Sequence, residues 1–375
     1  MKAAILESIV MPAGHEVEFD RILVDELKRQ GHEPIFFVPK NFPFKIDYKT
    51  DVEYLNGGEA VSYAGAGRLK KIWLSLLREK RRQKWFDDAY EKTKLGLCDA
   101  IIIPTASFRF LRTLKKSKLK NSQVPVYFIF HGIIAKEKDR FLKQAISCKK
   151  YKNIYLKVMT LRDDFKETGL INLNSILPPI YKPQDFTVDA NLKYREPVKI
   201  GFFGQFRREK NLGFLLDAFG MAKFNISVKL IVQGATTRAE DAKAFEYYID
   251  KYKKNSNIEF LHKNLIGEEW QRALLDTDII IMPYAAERYR YQSSAMLFTA
   301  IGFYKPVLQS PEINPEVLQE FNIGEMLNLS SVDIFAKQLE RFVNNFGNNI
   351  DTYSKNLALA NEKYSHENLI KAIFH

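Results

Sequence analysis

A run of glycines and cations lies between a predicted strand and a predicted helix in the second half of the chain. It reads Gly201-Phe-Phe-Gly204-Gln-Phe-Arg207-Arg208-Glu-Lys210-Asn211. The glycines let a backbone approach a ligand closely, the start of the helix offers unpaired N–H groups, and the cations supply the charge that a diphosphate requires. The segment therefore predicts a diphosphate site. An ordinary basic strand-to-helix loop is the alternative interpretation.

A second polar segment follows a very apolar strand further along the chain. It begins at Pro283, contains Glu287 and two arginines, and ends in Tyr291-Gln292-Ser293-Ser294. Ligands of open parallel sheets bind where the strands end, and serines at the start of a helix can cap it while leaving N–H groups for a phosphate. The alternative is a solvated cluster in which Glu287 pairs with Arg288 and Arg290.

The elements that must position these segments alternate between short apolar runs and amphipathic helices. This alternation is typical of parallel sheets covered by helices, so the sequence predicts an α/β fold. A helix with one apolar face is predicted after the first strand and ends at Gly31. The predicted strands are Ala3–Ile9, Ile35–Val38, Ala100–Ile103, Val126–Phe130, Tyr155–Met159, Val198–Phe203, Val228–Val232, Ile258–Leu261, Ile279–Met282 and Val307–Leu308.

The chain has 375 residues, which suits two domains. A proline-rich stretch without periodicity separates the two alternating regions, and prolines are common in such connections. We therefore expect an N-terminal domain over residues 1–181, a linker over 182–197 and a C-terminal domain over 198–355. The last residues, 356–375, are expected to pack back towards the first domain as a helix.

Composition excludes several classes of protein. Apolar residues make up 46% and charged residues 27% of the chain, as in soluble proteins, and no apolar stretch approaches the roughly 20 residues that cross a bilayer. The first residues resemble a strand and lack the cleavage site of a signal peptide. The two cysteines form no C-x-x-C pair, so neither a disulfide framework nor a zinc site is indicated. A cytoplasmic protein is expected.

Positive charge is concentrated in the first half of the chain. The net charge is +12, and the first 200 residues carry 37 Lys and Arg against 24 Asp and Glu. The densest segment predicts a basic amphipathic helix, which can lie on an anionic bilayer. Its cationic and aromatic candidates for membrane or acceptor contact are Lys70, Lys71, Trp73, Arg78, Arg81 and Arg82.

Two other interpretations compete with membrane contact for this segment. Its apolar stripe could pack on the first domain and leave an ordinary solvated charged face. Nucleic acid also attracts positive charge, but no zinc-finger spacing, RNP-like strand or helix-turn-helix pattern accompanies it. We expect an anionic membrane surface and no nucleic acid, with the protein peripheral on the inner face of the cell membrane.

The order of motifs resembles the family 4 glycosyltransferases of the GT-B class over almost the whole chain. The motifs are a glycine-containing first loop, a histidine after a middle strand, G-x5-K at the second domain, P-x3-E, and a later G-x3-PV. The resemblance implies two Rossmann-like domains that face each other across a cleft. It also implies a nucleotide-diphosphate sugar as donor, bound by the C-terminal domain.

The resemblance suggests roles for several residues. Lys210 corresponds to the lysine that contacts the donor diphosphate, and Glu287 to the first glutamate of the E-x7-E signature. His131, in Phe-His131-Gly, corresponds to the histidine near the transferred sugar, although a hydrogen-bonded histidine at a strand end is the alternative. Gly14 lies in the loop that faces the donor, and His15 beside it has a weaker claim to acceptor contact.

The sequence departs from the family pattern at two positions. The usual arginine after the loop glycine is Gln205, so Arg207 or Arg208 is expected to replace it. The second family glutamate, which binds the donor ribose, aligns with Thr299 or its neighbours. We therefore expect a divergent donor site that includes Gly204 and the Tyr291, Gln292, Ser293 and Ser294 loop.

The function implied is a retaining, metal-independent sugar transfer to a glycan or lipid-linked acceptor. Synthesis of cell-surface polysaccharide, lipopolysaccharide or glycolipid would use such an enzyme. No cofactor is expected. A sugar-nucleotide epimerase of the same fold and a non-catalytic, membrane-associated protein that binds sugar nucleotides are the alternatives.

Overall fold

The computed structural model describes residues 1–9, 15–63, 65–165, 168–184 and 186–375, and they form two α/β units. The first unit comprises Met1–Pro178 together with His366–His375, and the second comprises Pro179–Ser365. The side chains of His15 and Arg68 are not described.

The first unit contains a parallel sheet of seven strands in the order β3-β2-β1-β4-β5-β6-β7. The strands are β1 Lys2–Leu6, β2 Glu33–Lys40, β3 Asp51–Glu59, β4 Ala100–Ile103, β5 Val126–Phe130, β6 Ile154–Met159 and β7 Leu173–Ile176. The helices that connect them are α1 His15–Arg29, α2 Arg68–Lys94, α3 Phe108–Leu114 and α4 Ala135–Cys148, with a 3-10 helix at Lys118–Asn121.

The second unit contains a parallel sheet of six strands in the order β10-β9-β8-β11-β12-β13. The strands are β8 Val198–Phe202, β9 Val228–Gln233, β10 Ile258–Leu261, β11 Ile279–Met282, β12 Val307–Gln309 and β13 Gly324–Met326. The helices are α5 Leu212–Met221, α6 Ala239–Tyr252, α7 Gly267–Leu275, α8 Ala295–Gly302, α9 Glu316–Glu320, α10 Val332–Asn344 and α11 Phe346–Lys363, with 3-10 helices at Arg208–Lys210 and Glu287–Arg290.

Each sheet has a point at which the strand order reverses. In the first unit β1 lies between β2 and β4, and in the second unit β8 lies between β9 and β11. The connections that leave the carboxyl ends of two such central strands run to opposite sides and open a crevice there, where ligands of doubly wound sheets bind. The two motifs singled out in the sequence follow β8 and β11.

The predicted α/β class is confirmed, and four strands, β4, β5, β10 and β11, have the predicted bounds. Three strands, β3, β7 and β13, were not predicted. All three lie at edges of the sheets, where one side of the strand has no neighbour and side chains are often exposed. β3 contains Asn56-Gly57-Gly58, and the central residues of β7 are exposed, so neither shows an apolar run.

A last helix, α12 His366–Phe374, belongs to the first unit and packs on α1. Arg29 of α1 forms an ion pair with Glu367 at 2.7 Å, and the ring of Phe374 contacts His32 and Tyr127. The predicted apolar face of α1 is fully buried: Phe19, Ile22, Leu23 and Leu27.

Two buried carboxyl groups lie at the carboxyl end of β1. The Glu7 side chain is 3% exposed, and its Oε1 accepts hydrogen bonds from the backbone N–H groups of Ser8, at 2.5 Å, and Ile9. Burial raises the pKa of Glu7 to about 8, with a smaller contribution from the charge of Glu16. Burial also raises the pKa of Asp20 on α1, and the nearby Glu7 and Glu16 add to the shift.

This burial predicts that stability falls as pH rises. Between the unfolded pKa near 4.5 and the folded pKa near 8, folded Glu7 binds a proton that the unfolded chain lacks, so the free energy of unfolding decreases through that window. We expect Glu7→Gln to raise the melting temperature of the protein at pH 8.5 by at least about 3 °C. The gain should disappear at pH 4.5.

Thermal unfolding of the wild-type protein and Glu7→Gln at pH 8.5 and pH 4.5 measures this gain. Glu33→Gln removes an exposed carboxylate from β2 and serves as the matched control, for which no pH-dependent gain is expected. An equal gain in both variants would contradict the assignment to burial.

Candidate functional site

The glycine-cation motif forms the turn between β8 and α5. Gly204 has φ +102°, and a Cβ at this position would lie 2.9 Å from the Nζ of Lys210. The backbone conformation favours glycine here, and a side chain would force the end of the lysine to shift. The N–H of Gly204 donates to Oε1 of Gln233 at the end of β9 (2.8 Å), which fixes the turn against the neighbouring strand.

Lys210 is almost completely buried at this turn, with 8% of its surface exposed. Its Nζ donates to the carbonyl of Phe203 at 3.0 Å and lies 5.0 Å from the ring centre of Tyr284. Burial lowers the pKa of Lys210 to about 7, and the positive charges of Arg207 and Arg288 contribute to this shift. An anion beside the ammonium would restore its charge.

The second motif packs against the first. Ala285, after β11, donates its backbone N–H to the carbonyl of Glu209 at 2.8 Å, and Arg288 forms an ion pair with the same residue at 2.9 Å. The ring of Tyr284 contacts Phe202 at the end of β8. The structure therefore brings together the two segments that the sequence singled out separately.

Several buried polar atoms of the second motif lack a hydrogen-bond partner among the residues that the structure describes. They are Tyr284 Oη, Arg288 Nε and Ser293 Oγ. Buried polar groups in proteins are nearly always paired, with protein, water or a ligand. Tyr284 and Arg288 lie near the Lys210 ammonium, and together these groups form a set of donors that suits an oxygen-rich anion.

The serine loop ends in a capped helix. Ser294 is the N-cap of α8, and its hydroxyl accepts a bond from the N–H of Leu297 at 3.4 Å. Its own N–H donates to Asn314 at 2.9 Å. Thr299, predicted near the donor ribose, is buried in α8 and donates its hydroxyl to the carbonyl of Ala295 at 2.8 Å, so its proton is used within the helix.

The remaining predicted donor residues lie around this cluster with more exposure. Glu287 and Arg208 are exposed, and Tyr291 and Gln292 are half-buried at the end of the second 3-10 helix. Arg207 donates to the amide oxygen of Gln205 at 3.2 Å. Arg207 therefore contacts the residue that stands at the position of the family arginine.

The sequence motifs do not identify three residues of the cluster as site residues: Tyr284, Arg288 and Gln233. Each follows or ends an apolar strand, which is the signal that could have identified them.

The sequence Asp276-Thr277-Asp278 lies at the opposite, amino end of β11. Asp276 pairs with Lys199 and Asp278 with Arg195, both within 2.8 Å. Among the described residues no group of His, Cys, Asp and Glu has the arrangement of a metal site.

In the first unit, His131 lies just after β5. Its Nε2 donates to the carbonyl of Pro104 at 2.8 Å, and its ring contacts Phe19 edge to face. This bond and the ring contact fix the orientation of the imidazole. Gly14 lies outside the described residues, and His15 begins α1.

The basic helix α2 changes environment along its length. Lys70 and Lys71 are exposed, and Trp73 is 60% exposed. Arg81 donates to the carbonyl of Glu59 at 2.6 Å, and Arg78 lies over the ring of Tyr63. Arg82 differs from the others, because it is only 3% exposed and its guanidinium lies 4.0 Å from the ring centre of Phe110. It does not belong to the exposed surface.

Comparison with known proteins gives matches at the level of structure. No family model and no curated protein sequence matches the chain. Anabaena HepE in complex with UDP and glucose matches with a TM-score of 0.65 at 15% identity, covering 100% of this chain and 98% of HepE. Sucrose-phosphate synthase from Thermosynechococcus elongatus matches with a TM-score of 0.67 at 13% identity, covering 99% and 97%.

A third match is the lipopolysaccharide outer core galactosyltransferase WaaB in its apo form. Its TM-score is 0.61 at 15% identity, and the alignment covers 100% of this chain and 99% of WaaB. These matches extend over both parallel sheets. The chain therefore has the GT-B fold of these glycosyltransferases.

Proposed function

We propose that the chain is a glycosyltransferase that moves a sugar from a nucleotide-diphosphate donor. The observation that carries the proposal is the buried Lys210 ammonium, which lies with Tyr284 and Arg288 at the carboxyl ends of β8 and β11. Anabaena HepE, which shares the fold, has been crystallised with UDP-glucose. The chain therefore combines a fold used for sugar transfer with a cluster of side chains whose charge suits two linked phosphates.

Each residue has a distinct part in this proposal. Lys210, Arg207 and Arg288 balance the charge that grows on the departing diphosphate, and the N-terminus of α8 adds a helix dipole. Glu287 and Tyr291 to Ser294 contact the donor, and His131 contacts the transferred sugar. We propose that these cations replace a metal ion and that the anomeric configuration is retained, as the family resemblance implies.

The acceptor in this proposal is a glycan or lipid-linked molecule at an anionic membrane. Four apolar residues on one face of α2 are exposed, at spacings of i, i+3, i+4 and i+7: Leu69, Ile72, Trp73 and Leu76. Lys70 and Lys71 lie beside them. An exposed apolar stripe beside cations is suited to the headgroup region of an anionic bilayer. No described helix has the length and apolar composition needed to cross a membrane.

Replacing Lys210 tests the donor site. We expect Lys210→Met to weaken binding of the nucleoside diphosphate by about 10- to 100-fold, because a charge-assisted hydrogen bond to phosphate contributes about 1.5–3 kcal/mol. Calorimetric titration with UDP, GDP, ADP and CMP first identifies the nucleotide that binds wild type most tightly. The variant is then titrated with that nucleotide, and its fold is checked by thermal unfolding.

Lys305→Met is the matched control for this experiment. Lys305 is also 8% exposed in the same unit, and it donates to the carbonyls of Leu275 and Thr277. It precedes β12 and so lies at the amino edge of the sheet, away from the proposed site. Its replacement should leave affinity unchanged, and an equal loss in both variants would contradict the role of Lys210.

The affinity for the nucleoside diphosphate should also depend on pH. The free protein has a Lys210 pKa of about 7, whereas a bound diphosphate favours the charged ammonium, so binding above pH 7 takes up a proton. We expect affinity to fall by up to about tenfold per pH unit between 7.5 and 9, where the charge of the phosphates is constant. Lys210→Arg should remove most of this dependence, and a flat wild-type profile would refute the explanation.

Membrane contact predicts the effect of an added charge on α2. Ile72→Glu should reduce cosedimentation with vesicles containing phosphatidylglycerol at low salt by about tenfold, because it places a carboxylate within the apolar stripe. Ile146→Glu on α4 is a close control, since Ile72 is 58% exposed and Ile146 59% exposed in the same unit. Equal binding by the two variants would exclude the stripe as the membrane contact.

A non-catalytic protein that binds sugar nucleotides is the second candidate. Thr299 favours it, because the side chain at the predicted ribose position bonds within its own helix. Release of nucleoside diphosphate from the sugar nucleotide that binds, measured with and without membrane extract as acceptor, separates the two. Binding without turnover under both conditions supports the second candidate.

A further inference from the structure

A cavity of about 160 Å³ in the first unit lies at the carboxyl ends of β1 and β4. Ile9, three residues beyond β1, and Thr105 to Ser107, just after β4, form part of its wall, and the central turns of α2 form another part. About 10–15 Å³ of such space holds one water molecule, so the cavity admits a group the size of a phosphate. Its position is the reversal point of the strand order in this sheet.

Three arginines line this cavity: Arg78, Arg82 and Arg109. None of them forms an ion pair with any residue in the described part of the chain. The cavity also contains one carboxylate, Glu79, whose Oε1 is paired with Arg112 at 2.7 Å. Among the described residues that line the cavity, cations therefore outnumber carboxylates.

Arg82 supplies an independent observation. It is 97% buried, yet its Nε and Nη1 have no hydrogen-bond partner among the described residues, and the buried Oγ1 of Thr105 in the same wall also lacks one. Burial lowers the pKa of Arg82 to about 10, and the charge of Arg78 contributes. A buried, unpaired guanidinium is costly and is retained in proteins mainly where an anion or a function requires it.

We propose that this cavity binds the phosphate of a phosphomonoester acceptor, on a sugar or on a lipid headgroup. The guanidinium groups of Arg82, Arg78 and Arg109 donate to the phosphate oxygens, and the Thr105 hydroxyl donates a further bond. A planar guanidinium binds phosphate with two parallel hydrogen bonds, which a solvated lysine does not do. The acceptor assignment rests on the proposed glycosyltransferase function, whereas phosphate binding does not.

Calorimetric titration with glucose 6-phosphate tests whether the cavity binds a soluble phosphomonoester. Glucose, which lacks the phosphate, is the control ligand. The protein is first saturated with the nucleoside diphosphate that it binds, so that the donor site does not contribute. We expect binding of glucose 6-phosphate and none of glucose. Arg109→Gln and Arg78→Gln should each weaken binding about tenfold, and Arg140→Gln, an exposed arginine on α4, should not.

A vesicle assay tests the lipid source of the same group. Vesicles with phosphatidic acid carry a phosphomonoester, and vesicles with phosphatidylglycerol carry a phosphodiester. A preference for phosphatidic acid that Arg109→Gln removes and Arg140→Gln keeps would assign the site to a lipid headgroup. The proposal is overturned if Arg109→Gln weakens binding of neither glucose 6-phosphate nor phosphatidic acid.

Arg82→Met distinguishes a ligand site from a structural role. Methionine keeps an unbranched stem against Phe110 and removes the charge. A ligand-binding arginine that is unpaired in the free protein should give a variant with an unchanged or higher melting temperature and at least tenfold weaker phosphate binding. A lower melting temperature with unchanged phosphate binding overturns the assignment.

If the wild-type protein binds no nucleoside diphosphate, the proposed function is refuted. Phosphate binding by the cavity is then tested separately, by titration of Lys210→Met without nucleotide. Nucleotide binding without an arginine-dependent phosphate response refutes the cavity proposal alone.

Discussion

The buried ammonium of Lys210 sets the geometry of the second unit's candidate site. A cation with 8% exposure and a single carbonyl acceptor is unfavourable unless charge or dipoles compensate it. Gly204 leaves the space in which the ammonium lies, and the Tyr284 ring lies beside it. The bond from the Ala285 N–H to the carbonyl of Glu209 holds the loop after β11 against the turn after β8. The local arrangement therefore favours ligand binding over maximal stability.

The first unit repeats this physical arrangement with different residues. Arg82 is a buried cation without a charged partner among the described residues, and it lies beside an aromatic ring, as Lys210 does. Both cations lie close to the carboxyl ends of two central strands, β8 with β11 and β1 with β4. Parallel sheets direct strand ends and helix starts to one edge, so uncompensated donors collect there. The same edge of the first sheet also buries Glu7 Oε2 and Asp20 Oδ1, neither of which has a hydrogen-bond partner among the described residues.

The sequence predicted those parts of the fold that depend on burial. Fully buried strands such as Ile279–Met282 appear as continuous apolar runs, whereas the edge strands β3, β7 and β13 contain glycine or exposed polar residues and show no such run. Lys210 could be found because G-x5-K spans one turn, so its spacing is local. Tyr284 and Arg288 contribute through packing between distant segments, which no single spacing records. Helical periodicity does not separate Arg82 from the surface cations of α2, because it gives no depth of burial.

The cations of α2 differ in exposure because the helix passes from the surface into the core of the first unit. Its first turns expose Leu69, Ile72 and Trp73, whereas Trp85 and Phe86 in its later turns belong to the core of the first unit. Arg82 lies six residues beyond Leu76, about 9 Å along the helix axis at 1.5 Å per residue. The apolar face of an interfacial helix enters the boundary between headgroups and acyl chains by roughly 5–10 Å, a distance of the same order as this axial separation. One helix thus joins a surface suited to a membrane and a cavity suited to a phosphate, and this proximity favours a phosphorylated molecule presented at the membrane over one captured from solution.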